Sequence, residues 1–394
     1  MKRKIILLSA IFSLGVFFGN AQLRLSTDAT ISVVTCGPGS ELYSTFGHSA
    51  FRVYDPILQL DKVYNYGTFN FNAPNFYLNF VKGKLIYQLS TSRFNSFLES
   101  YHRENRWVTV QELNLDNTDV QLLYDFLEIN ALPQNRDYKY DFFYDNCSTK
   151  LEEVLKIVLK DKVAFSNSHI NTTKTHRDLI ADYTTTNKWS KFGIDLALGS
   201  VIDRKATKDN YKFLPDYLMA GFGNATVLIE NNQQPLVKNT VEILKQRPFE
   251  SKTSLATPFN LFFVLCLLVT FKTYKNIKNN KRSKWLDFSL FFVTGIIGIV
   301  VLLLWFATNH TATYKNFNFL WAFAPNVVVA FYMLKTKLPT WLIAYNKLLL
   351  ILLALLFLLW VIEIQVFNIA LLPIIALLII RYGYLILNQK KLQL

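Results

Sequence analysis

Tyr138-Lys139-Tyr140-Asp141-Phe142-Phe143-Tyr144-Asp145-Asn146-Cys147-Ser148-Thr149-Lys150 is the segment around which this chain is organised. Polar, turn-forming residues give way there to Leu151, Val154, Leu155, Val158 and Leu159. That spacing, i, i+3, i+4, i+7, i+8, is the buried face of a helix. Asp145, Asn146, Ser148 and Thr149 are all residue types that cap helix N-termini. With Asn146 as the cap, Cys147 falls in the first turn, where the helix dipole favours a thiolate. Thr149 with Glu152 offers a second capping box and a slightly later start. Either way the sulfur sits near unpaired backbone N–H groups, which can activate a nucleophile and hold an acyl-transfer oxyanion. The competing reading is a buried structural cysteine.

The chain has 394 residues, 51% of them hydrophobic, and a net charge of +14, room for two or three domains with the apolar residues unevenly spread. Lys2, Arg3 and Lys4 precede an apolar run over 5–18 and a small-residue site at Gly19-Asn20-Ala21. This is the pattern of a secretory signal peptide over 1–21, with an uncleaved anchor as the alternative. No cysteine follows closely, so the protein is not expected to be a lipoprotein itself. Three cysteines make no disulfide framework. Cys266 lies in an apolar segment, which leaves Cys36 and Cys147 in the exported part. A disulfide between these two, in an oxidising compartment, is the strongest rival to a reactive Cys147.

Residues 22–255 read as an exported α+β domain. Strands are expected at 31–35, 47–55, 62–67 (continuing through 69–71), 86–90 and 107–113, and a helix at 116–130 capped by Asn117 or Thr118. Alternation places His48, Ala50 and Arg52 on one face of the second strand. A nucleophilic cysteine needs a base within hydrogen-bond reach, itself held by a partner. His48 is the candidate base, with Asn65 or Tyr66 on the next strand to orient it; His102, His169 and His176 lack so strand-like a setting. Arg177, Asp195 and Asp203, charges within apolar runs, read as surface ion pairs. The segment 238–257 reads as an amphipathic linker onto a bilayer.

From 256 to 394 the chain is mostly apolar, and five transmembrane helices are expected at 257–271, 286–307, 317–334, 341–362 and 366–387. The first is short and the third carries Pro325 and Asn326. The basic loop 272–284 belongs on the cytoplasmic side, so the domain before the first span faces out, in agreement with the signal peptide. Lys335, Lys337, Lys390 and Lys391 fall inside in the same scheme. Topology thus accounts for much of the positive charge, and a nucleic-acid partner is not needed. His310, Asn316, Asn318 and Asn326, in or near an outer loop, are candidates for binding a lipid head group or a substrate terminus, against a solvated loop as the alternative. Nothing in the chain has the spacing of a metal or cofactor site.

Three blocks carry a family resemblance: Glu41-Leu42-Tyr43-Ser44-Thr45-Phe46-Gly47-His48-Ser49-Ala50-Phe51-Arg52-Val53, Val63-Tyr64-Asn65-Tyr66-Gly67-Thr68-Phe69, and Tyr140 through Thr149. With the membrane helices behind them, they resemble the Lnb-type lipoprotein N-acyltransferases of Bacteroidota over nearly the whole chain. The order of a His-bearing strand before an Asn-Cys helix start also resembles permuted papain-like enzymes of the lecithin–retinol acyltransferase group. That group has a second histidine on the strand after the base, and no histidine stands near Asn65 here.

These resemblances imply an inner-membrane acyltransferase with its site on the outer face. Cys147 would be the nucleophile and His48 the base, with Ser44, Arg52, Asn65, Tyr66, Asp145 and Asn146 in support. The donor would be a phospholipid, and the acceptor the N-terminal amine of a lipoprotein. The alternatives are a membrane-tethered cysteine peptidase or amidase of the cell envelope, and a non-enzymatic assembly protein held by a Cys36–Cys147 disulfide.

Overall fold

Residues 23–185, 187–247 and 254–392 are described in a computed structural model; the expected signal peptide lies outside them. The described residues of the first half include the strands β1 (Thr30–Cys36), β2 (His48–Asp55), β3 (Leu60–Thr68), β4 (Ile86–Arg93), β5 (Val108–Leu113), β6 (Asp137–Lys139), β7 (Val163–Ala164), β8 (Thr226–Ile229), β9 (Asn232–Pro235) and β10 (Val237–Leu244). Seven form one antiparallel sheet of order β10-β5-β1-β2-β3-β4-β6, and β7-β8-β9 form a second, small sheet. Helices α1 (Phe76–Val81), α2 (Phe94–Arg103), α3 (Asn117–Asn130), α4 (Cys147–Leu159), α5 (His176–Tyr183), α6 (Lys188–Ala197) and α7 (Pro215–Gly223) complete this half.

Period-two alternation sets the two faces of the large sheet. Ile31, Val33, Phe51, Val53, Tyr64 and Tyr66 pack against Leu123 and Leu127 of α3 and Leu151 and Leu155 of α4. Val34, Cys36, Ala50 and Val63 turn the other way, under Phe94, Phe97 and Tyr101 of α2. Each fully buried leucine on the α3–α4 seam contributes about 1.5–3 kcal/mol, so burial more than propensity holds α4 on the sheet. Two expectations need correction. Asp116, rather than Asn117 or Thr118, caps α3, accepting from the Asp119 N–H at 2.8 Å. Within the expected linker 238–257, the residues of β10 instead form an edge strand paired with β5, because β5 offers an open edge.

The second half contains α8 (Pro258–Lys278), α9 (Lys284–Phe306), α10 (Asn326–Met333), α11 (Leu342–Val361) and α12 (Leu371–Leu392). Among the described residues, α8, α9, α11 and 371–388 of α12 are long and apolar enough to cross a membrane. The expected third span is not one continuous helix. A 3-10 turn at Phe317–Leu320 is followed by irregular chain and then by α10, only 8 residues long. Irregular backbone at membrane depth must be covered by protein. Gly295 and Gly298 of α9 allow this: a Cβ on Gly298 would lie 1.9 Å from the Ala322 carbonyl oxygen, and one on Gly295 2.2 Å from the Val327 nitrogen. Asn326, which starts α10, donates to Thr294 Oγ1 at 3.0 Å and accepts from Tyr345 at 2.6 Å.

The loops sort to two ends. Arg282 donates to the carbonyls of Met333 and Lys335 and pairs with buried Asp287, which also holds Arg381, so the basic loops share one end. The loops around 309–318 and 363–368 meet the sheet-bearing half at the other. The expected surface pairs Arg177, Asp195 and Asp203 lie in that contact and are buried, not superficial. Arg177 bonds Asp195 at 3.1 Å and Asp203 at 2.7 Å, with every side chain at most 6% exposed. Asn368 of the membrane half donates to Asp195 at 2.7 Å, and the Val366 N–H to Asp203 at 3.3 Å.

Candidate active site

Cys147 is the first residue of α4, and Asn146 is its N-cap. The Asn146 side-chain oxygen accepts from the Ser148 and Thr149 N–H groups at 2.9 and 3.0 Å, and Thr149 Oγ1 accepts from the Asn146 N–H at 2.8 Å. Thr149 thus closes the capping box and does not begin a later helix. The Asn146 amide donates to the Phe142 and Phe213 carbonyls at 2.9 and 2.7 Å, which fixes the helix start to two flanking loops. The Cys147 N–H has no acceptor among the described residues, as expected at a first helical position. It remains available to an incoming oxyanion.

His48 opens β2 directly after Gly47, whose φ of +83° is a left-handed conformation; a Cβ there would stand 2.8 Å from the Cys36 carbonyl oxygen. On the next strand, Asn65 Oδ1 lies 2.5 Å from His48 Nε2. The amide oxygen can only accept, so Nε2 carries the proton and Nδ1 is left for the sulfur. Asn65, not Tyr66, therefore holds the imidazole. Tyr66 is buried and donates to Asn130 Oδ1 at 2.6 Å.

Thiol and imidazole perturb each other. Burial pushes the Cys147 thiol up, but the charge of His48, a hydrogen bond with its ring, the Ser49 N–H and the Ser148 hydroxyl outweigh it, and the thiol lies below its ordinary range. Burial pulls His48 down, and the charge and hydrogen bond of Cys147 with the Asn65 contact outweigh that, leaving His48 above its ordinary value. Both directions favour the thiolate–imidazolium form of the pair. Gly67 makes room for it. Its φ is +84°, and a Cβ there would be 3.3 Å from Cys147 Cβ and 3.6 Å from the Tyr140 ring. Tyr140 in turn stacks on Tyr87 with centroids 4.1 Å apart.

Cys36, Cys147 and Cys266 are all free, so the Cys36–Cys147 disulfide is absent. Cys36 faces His48 across β1 and β2, and burial pushes its thiol up to about 12, against the opposing pull of Arg106. Burial drives the Cys36 thiol up while the neighbours of Cys147 draw its thiol down, a difference made by the surroundings alone.

Other candidates lie elsewhere. Ser44 donates to the Glu41 carbonyl at 3.0 Å and closes its own loop. Arg52 pairs with Asp61 at 2.7 Å and covers the Phe94 ring. Asp145 pairs with Lys150 at 2.8 Å. The outer-loop residues make ties between chain segments. His310 Nε2 donates to the Phe80 and Val81 carbonyls at 3.0 and 3.1 Å. Asn316 and Asn318 are fully buried and donate to carbonyls of α6 between Asp195 and Ala197. Asn326 is committed within the helical half, as described above. Sequence reading missed Ser49, Gly67, Tyr140 and Ser148 at the sulfur; of these, Gly67 alone carried a signal, a glycine inside a strand.

Residues 19–181 match the family model described as the Lnb N-terminal periplasmic domain, and residues 250–392 match that of the Lnb transmembrane domain. Comparisons with curated proteins and with solved structures gave no match. The two matches stand in the family's order and take in the Cys147 helix start, the His48 strand and all four long apolar helices. The chain therefore belongs to the Lnb family, a membrane protein with a periplasmic N-terminal domain and a transmembrane domain behind it.

Proposed function

We propose that this protein is a lipoprotein N-acyltransferase of the inner membrane that carries a fatty acyl group as a thioester on Cys147. The observation that carries this reading is the paired perturbation of Cys147 and His48, with the imidazole held by Asn65 and the sulfur at a helix start. Family membership supports the substrate class, since the family's name attaches to lipoprotein processing at a membrane.

In the first half-reaction His48 takes the thiol proton and the Cys147 thiolate attacks a phospholipid ester carbonyl. The oxyanion lies against the Cys147 N–H at the positive end of α4. Collapse breaks the ester C–O bond, and His48 returns its proton to the leaving lysophospholipid alkoxide. In the second half-reaction the lipoprotein's N-terminal amine attacks the thioester carbonyl. His48 takes a proton from the amine as the amide forms, and the leaving thiolate receives it, which restores the starting state. Splitting the transfer in this way is ordinary covalent catalysis.

Purified protein in phospholipid nanodiscs, without an acceptor amine, should accumulate a hydroxylamine-labile fatty acyl group on Cys147, seen by intact-protein mass spectrometry. A diacylated lipopeptide with a free N-terminal amine should discharge it and become triacylated. Absence of the adduct from wild-type protein, or an adduct that survives in Cys147→Ala, would overturn this reading. Discharge to water alone in the presence of the lipopeptide would point to a hydrolase instead.

A further inference from the structure

Helix α1 presents an apolar surface that the sheet-bearing half does not cover. Phe76 is buried, while Tyr77, Leu78, Phe80 and Val81 are between 51% and 79% exposed, as is Phe71 just before the helix, at 63%. Contiguous exposed aromatic and aliphatic side chains on a soluble domain mark an interaction surface. The position of this surface indicates its occupant. The Lys82 carbonyl accepts from the Asn309 N–H at 2.9 Å, and His310 bonds the Phe80 and Val81 carbonyls. Gly83, at φ +64°, permits this close approach, since a Cβ there would lie 3.0 Å from the His310 nitrogen. Asn309 and His310 follow directly on the outer end of α9, where Phe306 is 72% exposed. The surface of α1 is thus continuous with the lipid-facing end of a transmembrane helix. Exposed Lys82 and Lys84 flank it, as expected for cations beside phospholipid phosphates.

An aromatic run leads inward from the same surface. Phe69 contacts Phe71, Phe76 and Tyr87 at centroid distances of 4.8, 5.7 and 5.3 Å. Tyr87 stacks on Tyr140, whose ring lies beside Gly67 and Cys147.

We propose that α1 and Phe71 form an interfacial wedge lying in the outer leaflet of the bilayer, and that the aromatic run behind it leads a phospholipid acyl chain to Cys147. The insertion stands on the exposed surface and its tie to α9; the delivery rests on the acyl-transfer reading above.

The insertion test uses full-length protein in phosphatidylethanolamine–phosphatidylglycerol nanodiscs, in a Cys147→Ala/Cys266→Ala background, so that the site thiol takes up no label. An environment-sensitive fluorophore is placed through Tyr77→Cys and, as a control, through Ile57→Cys. Ile57 is 66% exposed in the turn after β2, about 23 Å along the strand from His48. The label at 77 should emit further to the blue than the label at 57, and doxyl-labelled phospholipid should quench it several-fold more. Equal emission and quenching at the two sites would overturn the insertion. For delivery, Leu78→Asp/Val81→Asp should lower acylation of Cys147 from bilayer phospholipid by at least about tenfold. Its alkylation by water-soluble iodoacetamide should stay at the wild-type rate, which shows that the site is intact. Wild-type acylation in that double variant would overturn the delivery. If wild-type protein never acylates Cys147 yet position 77 is quenched, the acyl-transfer reading fails and the insertion holds.

Discussion

Asn65→Ala tests the site at the residue that holds its base. In the native protein the Asn65 amide oxygen lies 2.5 Å from His48 Nε2, and this contact is one of those that raise the imidazole above its ordinary value. Truncation leaves the Nε2–H without its acceptor and frees the ring to turn away from Cys147. A hydrogen bond to a charged group contributes about 1.5–3 kcal/mol. At roughly 1.4 kcal/mol per decade of rate, acylation of Cys147 should fall about ten- to a hundred-fold. The pH dependence gives a second, independent readout. With Asn65 gone, His48 loses a contribution that raised it and moves down. Less imidazolium then faces the sulfur, so the Cys147 thiol, held low by that charge, moves up. The inflection of iodoacetamide alkylation against pH should therefore shift to higher pH in Asn65→Ala, and further in His48→Ala. Asn65→Asp keeps an acceptor oxygen and should recover most of the acylation rate. The assay is single-turnover acylation in nanodiscs, followed by mass spectrometry. A wild-type rate and an unmoved alkylation inflection in Asn65→Ala would refute the assignment.

Gly67→Ala places a Cβ at φ +84° and 3.3 Å from Cys147 Cβ. The backbone strain is about 1–2 kcal/mol, so a modest loss of Tm should accompany a larger loss of acylation; intact acylation would show that the gap beside Cys147 is not needed. Cys36→Ala should keep the Cys147 acyl adduct, at roughly 1 kcal/mol or more in stability for the lost buried sulfur, and loss of the adduct would show that acylation needs Cys36 as well. Arg177→Met leaves the buried Asp203 carboxylate without its cation, while Asp195 keeps Lys191; this should cost about 3–5 kcal/mol, and an unchanged denaturation midpoint would contradict the buried network.

Much of the site is legible in the sequence because its determinants are local. Asn146 is a capping residue five positions before Leu151, where the apolar stripe of α4 begins, so the place of Cys147 at the helix start follows from short-range pattern. The apolar and β-forming residues of 48–53 put His48 at the start of a strand, and Asn65 stands on the strand that pairs with it. Which neighbour holds the ring is decided by parity. Tyr66 points into the α3–α4 face with Tyr64, whereas Asn65 shares the face of Val63 and Ala50. What stays hidden depends on long-range pairing. β10 looks like a charged linker until β5 supplies its partner, some 125 positions earlier in the chain. Only the folded state shows that Arg52 is taken up by Asp61 and is not aimed at the sulfur.

The membrane half shows the same limit from the polar side. Hydropathy over 317–334 is that of a spanning helix, and it contains nothing that foretells the approach of Gly295 and Gly298 from α9. Once that approach opens the segment, its backbone needs partners at depth, and the asparagines are part of the solution. Asn318 accepts from Trp321 at 2.9 Å, while Asn316 and Asn318 tie the segment to α6. A buried amide can satisfy several backbone groups at once, so an asparagine near a bilayer is as well suited to joining two chain segments as to binding a ligand. The same ties continue through Asn368 and Val366 to the carboxylates around Arg177, and through Thr311 to Asp141 at 2.7 Å, five positions before Asn146. The loop that positions Cys147 is therefore fastened directly to the outer end of the transmembrane domain. On the acyl-transfer function proposed above, a nucleophile fed from the bilayer needs a fixed height above it, and these polar contacts would set that height more rigidly than a flexible tether.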